Sequence, residues 1–212
     1  MYPQPVQKLI DLFARLPGIG PRQAGRFAFF ILKEKNGFGE ELREALRELR
    51  ERVGTCEECF RTMERDPAAE AALCGLCRDP RREQRLIAVV EKESDMRSME
   101  QSGAYHGLYH VLGGVISPLD TDSPGRLRLR ELYDRIETRL AAEQEAPCEV
   151  ILATNPTTEG DTTARYIERI LAPLQETHPM LAVSRLGRGL SLGSEIEYAD
   201  EITLKNALTN RK

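Results

Sequence analysis

The chain has no apolar run long enough to cross a membrane. The stretch Leu86-Ile87-Ala88-Val89-Val90 is of strand length, far short of the ~20 residues a membrane helix needs. No apolar segment opens the chain, so neither secretion nor an oxidising compartment is expected, and the reading is a soluble cytoplasmic protein. A basic excess is also missing: 30 Lys and Arg face 34 acids, a formal net charge of −4, which excludes a strongly basic nucleic-acid binder on totals. There is no Gly-x-x-x-x-Gly-Lys-Ser/Thr, so a P-loop nucleotidase is excluded, and Gly187, Gly189 and Gly193 miss the dinucleotide spacing by one residue. Histidine is scarce. His106 and His110 stand four apart, but Gly107 lies between them and no glutamate flanks them, so a structural role is expected rather than a helical metal pair. No Ser/His/Asp arrangement, internal repeat or low-complexity segment is visible. The 212 residues, 41% apolar, suffice for one medium domain or two to three small modules.

Cysteine is sparse too, five in all, but four stand as two short pairs, Cys56-Glu57-Glu58-Cys59 and Cys74-Gly75-Leu76-Cys77. A two-residue gap lets both thiolates of a pair face one metal, and two pairs close the tetrahedral shell that structural zinc prefers. The 14 residues between the pairs allow a hairpin or loop to fold back. Such a shell leaves no position for water, so the zinc, one per chain, would hold structure and do no chemistry. The competing readings are two disulfides, which a reducing compartment disfavours, or four unrelated core cysteines. Cys148 opens an apolar run and reads as a buried thiol.

Charge is uneven along the chain. Residues 1–35 hold six Lys or Arg against two acids, whereas residues 86–212 hold 14 against 20. Within the basic window, Val6, Leu9, Ile10 and Phe13 predict a helix over 5–15, and Ala24, Phe27, Ala28 and Ile31 predict a second from Pro21 to about Lys35. The turn between them, Leu16-Pro17-Gly18-Ile19-Gly20, has glycines that let an anion approach the backbone. A helix N-terminus adds its dipole there. Arg22 and Arg26 follow one turn apart, expected opposite the Phe27 and Ile31 face, so that with Gly18 and Gly20 they would hold successive phosphates without reading bases. The competing reading is an ordinary helical hairpin with solvated arginines. Leu42, Ala45, Leu46, Leu49 and Val53 predict a third helix.

From Leu86 the pattern alternates strand and helix, predicting a parallel sheet covered on both faces, hence an α/β fold. Strands are expected at 86–90, 111–116, 150–153 and 180–184, with helices near 95–101, 129–140, 164–174 and 201–208. Ligands collect at the C-terminal ends of such strands. Here Glu91 and Asp95 follow one strand, and Glu159 and Asp161 follow another. These carboxylates would either share magnesium for phosphoryl transfer or merely polarise loops and cap helices, as Asp161 would before its helix.

At this point the chain resembles the RecR family of bacterial recombination mediators over essentially its whole length. The resemblance rests on Leu16-Pro17-Gly18-Ile19-Gly20-Pro21, the two Cys-x-x-Cys pairs, Tyr109-His110-Val111-Leu112-Gly113-Gly114 with Ile116-Ser117-Pro118-Leu119-Asp120, Ile151-Leu152-Ala153-Thr154-Asn155-Pro156-Thr157, and Glu197-Tyr198-Ala199-Asp200-Glu201. It implies a helix-hairpin-helix module over 1–54, a four-cysteine zinc finger over 55–78, a Toprim domain over 79–176 and a C-terminal assembly segment over 177–212. It further implies a non-enzymatic DNA-binding mediator, on single and double strands, that forms a dimer or tetrameric ring. Such a mediator acts with RecO and RecF to load recombinase on single strands coated by single-strand binding protein. Carried over by position, DNA contacts fall on Arg22 and Arg26, zinc ligands on Cys56, Cys59, Cys74 and Cys77, and the Toprim glutamate on Glu91. Catalytic Toprim enzymes carry Asp-x-Asp where this chain has Asn155 and Thr157, leaving Glu91, Asp95 and Glu159 as an acidic surface for partners. The alternative is a magnesium-dependent Toprim nuclease, primase or topoisomerase, for which those two residues supply too few charges. The stretch Leu190-Ser191-Leu192-Gly193 also departs from the family's usual Pro-Val-Gly-Gly.

Overall fold

A computed structural model describes residues 2–66, 68–69, 71–142, 146–187, 189–190, 193 and 195–209. Arg188, Ser191 and Leu192 of the glycine-bearing stretches, and residues 210–212 of the C-terminal segment, lie outside the described residues. The chain divides into two compact units, one running to Gly54 with Glu64–Asp66, the other formed by Thr55–Met63 and the chain from 67 onward.

The first unit is helical: α1 (Gln4–Phe13), α2 (Pro21–Lys33) and α3 (Phe38–Arg52). Ala24 and Ala28 lie one turn apart on α2, and their small side chains let it approach α1 closely. Together with Ile10 they form a buried cluster ringed by Val6, Leu9, Phe13 and Ile19. The expected apolar face of α2 is thus only half realised, because Phe27 and Phe30 stay partly exposed. They line a groove of about 640 Å³ with Phe13, Ile31, Phe38 and Leu42. Arg26 lines the same groove rather than the opposite face. Helix α3 buries no residue, and Leu46 and Leu49 are more than half exposed. Its polar side carries the exposed pairs Arg43–Glu40, Arg47–Glu44 and Arg47–Glu51, which are worth little individually.

Strands β1 (Val53–Thr55) and β2 (Thr62–Glu64) form a two-stranded ribbon, and a single turn, α4 (Gly75–Arg78), follows. The second unit is organised by β3 (Glu83–Val90), β4 (Gly107–Val111), β5 (Cys148–Ala153) and β6 (Leu181–Arg185), all parallel, in the order β4-β3-β5-β6. Side chains alternate across the pleat. Ile87 and Val89 join Leu132 and Ile136 of α6 (Leu129–Ala142) and Ile167 of α7 (Thr158–Thr177) in the main core. Ala88 and Val90 join Met96 of α5 (Glu93–Ser102) on the other face. Both faces are covered, which is why 86–90 reads as one continuous apolar run. The C-terminal segment adds α8 (Glu201–Thr209).

One strand departs from expectation. The second strand spans 107–111, not 111–116. Gly113 (φ +89°) and Gly114 (φ +159°) break the extended chain after Val111, and polar His110 is fully buried inside the strand. Its Nε2 lies 2.8 Å from the Arg128 carbonyl, to which the neutral ring donates, and Nδ1 has no partner. Burial, then the nearby Arg135 charge, holds its pKa down to about 3. The unfolded chain binds this proton below about pH 6.5, whereas the folded one refuses it until far lower, so stability falls with pH at up to about 1.4 kcal/mol per unit. In urea unfolding, the advantage of wild type over His110→Gln should therefore shrink from neutral pH to about pH 5; a constant gap would contradict the burial of a neutral ring.

Candidate nucleic-acid interface and metal centre

The turn between α1 and α2 is built by Gly18, whose φ of +77° suits glycine, and by an Ile19 N–H that donates to the Leu16 carbonyl at 3.1 Å. Gly20 caps α2 without a side chain, and its carbonyl accepts from Gln23 and Ala24, each at 3.0 Å. Among the described residues, the N–H groups of Gly18 and Gly20 have no acceptor. Gly18, Gly20, Arg22 and Arg26 are all exposed. The hairpin therefore offers open donors, a helix N-terminus and two cations in one short segment.

The four paired cysteines converge and are buried. The Sγ atoms of Cys56 and Cys77 are 3.9 Å apart, those of Cys59 and Cys74 are 3.6 Å apart, and all four lie within 4.8 Å of one another. Sulfurs placed about 2.3 Å from a tetrahedral zinc would be separated by about 3.8 Å, so the cluster fits the ion. The cysteines are free, and the disulfide alternative is not realised. Crowding drives the thiols' acidities apart: Cys56 is lowered, chiefly by hydrogen bonding from Cys59, and Cys77 is raised, chiefly by Cys56. A bound dication removes that conflict by holding all four as thiolates. The first knuckle closes through Phe60 N–H to the Cys56 carbonyl at 3.0 Å. Cys74 N–H donates to Cys56 Sγ at 3.3 Å, linking the two knuckles.

Three contacts fasten this module to the sheet, and sequence reasoning found none of them. Val111 N–H of β4 donates to the Cys59 carbonyl at 2.9 Å. Phe60 stacks edge-on against His110, with centroids 5.2 Å apart, and the Arg128 guanidinium lies 5.1 Å above its ring. Glu58 pairs with Arg139, and Arg135 Nη2 stands 3.6 Å from the same carboxylate oxygen. The signal in the sequence was two acidic residues inside the first Cys-x-x-Cys and two arginines four apart on α6.

The acidic residues behave differently from one another. Glu91 is 3% exposed at the end of β3. Its oxygens accept from Asn155 N–H at 2.7 Å and Asn155 Nδ2 at 2.6 Å. Asp95 accepts from Lys92 N–H at 3.1 Å and caps α5. Glu159 is exposed in the first turn of α7. Among the described residues the three do not form a ligand cluster; the paired cysteines do. Asp161 does not cap α7: Thr157 Oγ1 does, accepting from Gly160 N–H at 3.0 Å, and Asp161 lies 3.6 Å from Arg185. Position 157 thus carries a neutral hydroxyl of the length an N-cap needs.

A helical hairpin, a four-cysteine cluster and a four-stranded parallel sheet define a helix-hairpin-helix, metal-knuckle and Toprim class of protein. Three family models match this chain: a RecR helix-hairpin-helix over residues 6–50, a Toprim domain over 85–186 and a RecR C-terminal segment over 189–212. It is 46% identical to Recombination protein RecR of Cutibacterium acnes over 211 residues, covering 100% of this chain and 96% of that protein. It is 43% identical to that of Herpetosiphon aurantiacus, covering 99% and 95%, and 40% identical to that of Myxococcus xanthus, covering 100% and 99%. The chain belongs to the RecR family of recombination proteins. Elemental analysis should find about one zinc per chain, and Cys56→Ser should lose the ion together with several kcal/mol of stability. A metal-free wild type with undiminished stability would remove the ion from the account.

Proposed function

We propose that this chain is a non-catalytic DNA-binding mediator of recombinational repair. On this reading the hairpin holds the sugar–phosphate backbone of single- and double-stranded DNA through Gly18, Gly20, Arg22 and Arg26, while a structural zinc on Cys56, Cys59, Cys74 and Cys77 fixes the middle of the chain. It works in the cytoplasm with RecO and RecF, helping to load recombinase on single-stranded DNA coated by single-strand binding protein. Glu91, Asp95 and Glu159 belong to the sheet end that meets basic partner surfaces, Glu159 being the exposed one. Self-association to a dimer or tetrameric ring draws support from the uncovered apolar side of α2 and α3, where Phe30, Leu46 and Leu49 are each more than half exposed.

The observation that carries the non-catalytic reading is the pairing of Glu91 with Asn155. Both carboxylate oxygens already accept short hydrogen bonds from one neutral residue. The second and third anions of a two-metal centre are replaced by Asn155 and Thr157. Magnesium, which prefers octahedral oxygen ligands carrying negative charge, has little to hold it.

Two outcomes follow. Purified protein should show no magnesium-dependent cleavage, relaxation or primer synthesis; turnover abolished by Glu91→Ala would reverse the reading. Arg22→Ala/Arg26→Ala should weaken DNA binding and flatten the slope of log affinity against log salt by about 1.4 to 1.8, the loss of two phosphate contacts. Wild-type affinity and slope in that variant would remove the hairpin from the interface.

A further inference from the structure

Arg135 is the least comfortable residue in the sheet unit. It sits on α6, is 9% exposed, and has only one of its guanidinium nitrogens hydrogen-bonded: Nη1 donates to the Tyr109 carbonyl at 2.6 Å. Nε and Nη2 are buried with no hydrogen-bond acceptor. The nearest carboxylate, Glu58, is 3.6 Å from Nη2 and is already engaged by Arg139. A buried cation with two idle donors costs several kcal/mol unless further negative charge lies close by. Glu58 stands inside the first knuckle, between Cys56 and Cys59. The charge that balances Arg135 is therefore to be sought in the sulfurs themselves. Four thiolates around one zinc carry a net charge of about −2, and Glu58, the residue next to Cys59, stands 3.6 Å from Arg135 Nη2.

We propose that Arg135 is the counter-charge of the metal-loaded four-cysteine cluster: a positioning residue whose burial is compensated only when zinc holds the sulfurs as thiolates. This rests on the zinc reading above and goes beyond it, because it ties the ion to the Toprim sheet through a residue 58 positions beyond the last ligand. The electrostatics agree with the geometry. Burial, and behind it the neighbouring Arg139 charge, holds the Arg135 pKa below its usual value, with Glu58, then Cys77 and Cys59, pulling the other way. Loss of the ion would strand a cation against the Tyr109 carbonyl at the edge of the sheet, so metal occupancy and the seating of α6 are coupled.

The proposal gives opposite signs for two partners that a plain ion pair would treat alike. Arg135→Met keeps the length and volume of the stem but removes the charge. It should weaken zinc binding by about tenfold or more in a chelator competition on the full chain, while leaving the metal-free protein as stable as wild type or more so, since an apolar residue replaces an uncompensated buried ion. Glu58→Gln removes a negative charge from beside the thiolates and should leave zinc affinity equal or higher. The proposal is overturned if Arg135→Met binds zinc as wild type does, if it loses equal stability with and without metal, or if Glu58→Gln weakens zinc as much as Arg135→Met. Should Arg135→Met not fold, Arg135→Lys replaces it: the retained charge should keep zinc affinity within a few-fold of wild type, and a tenfold loss or an unfolded Arg135→Lys overturns the proposal. A chain that binds no zinc at all fails the metal reading itself, and elemental analysis of the wild type separates that failure from this one.

Discussion

Four sulfurs held within 4.8 Å of one another are the constraint on which the middle of this molecule depends. They come from two segments separated by 14 residues, so the chain between them is pinned at both ends, and the ordering entropy of that loop must be met by the cluster and its surroundings. The consequences run outward from the first knuckle. Phe60 takes a left-handed φ of +62° to turn the chain after Cys59, a conformation that costs a non-glycine residue about 1–2 kcal/mol. The ring that incurs that cost is the one packed against His110 and Arg128. The turn also delivers the Cys59 carbonyl to Val111 N–H. Because β4 is an edge strand, this bond satisfies a donor that would otherwise face solvent or another chain. The knuckle thus closes the sheet as well as its own loop.

At the other end of the sheet a buried acid is satisfied from within the protein. In a metal-dependent site, neighbouring carboxylates repel one another and the ion relieves the repulsion. Here Asn155 brings two donors to Glu91 and no charge, so the acid is satisfied with nothing bound. The fit leaves little freedom. A Cβ on Gly160 would lie 2.1 Å from the Asn155 carbonyl and 2.9 Å from Glu91 Oε1, so the first turn of α7 can approach this pair only as glycine. Thr157 serves as the N-cap of the same helix.

Much of this was legible in the sequence, for identifiable reasons. The continuous run 86–90 marked a strand covered on both faces, and the spacing of the cysteines marked a shared site, because both patterns are local and strongly periodic. The strand at 107–111 was displaced because Tyr109 and His110 look polar, and their burial depends on partners 18 or more residues away, the Arg128 carbonyl for His110 and the Arg135 guanidinium for Tyr109. The split of α2 into a buried alanine side and an exposed phenylalanine side was hidden, since hydrophobicity alone ranks Phe27 and Phe30 above Ala24 and Ala28 and says nothing about how near two helices come. The clamp of Glu58 by Arg135 and Arg139 spans about 80 residues and leaves no trace in spacing.

The division of labour that results has a physical logic. Under the proposed function, two arginines and a few backbone donors on one hairpin would neutralise few phosphates, and such contacts weaken steeply as salt rises. A single copy would hold DNA briefly. The same unit leaves Phe30, Leu46 and Leu49 uncovered, and apolar surface of that kind is stable in water mainly when something lies on it. If copies of the chain cover one another there, each adds a hairpin, and several weak grips on one polymer combine at high effective concentration. Under the proposed function, weak individual contacts are an asset, since many releasable holds serve transient binding better than one tight one. On that argument the sparse charge of the hairpin and the bare apolar face of its helices are two parts of one design, since neither is sufficient without the other.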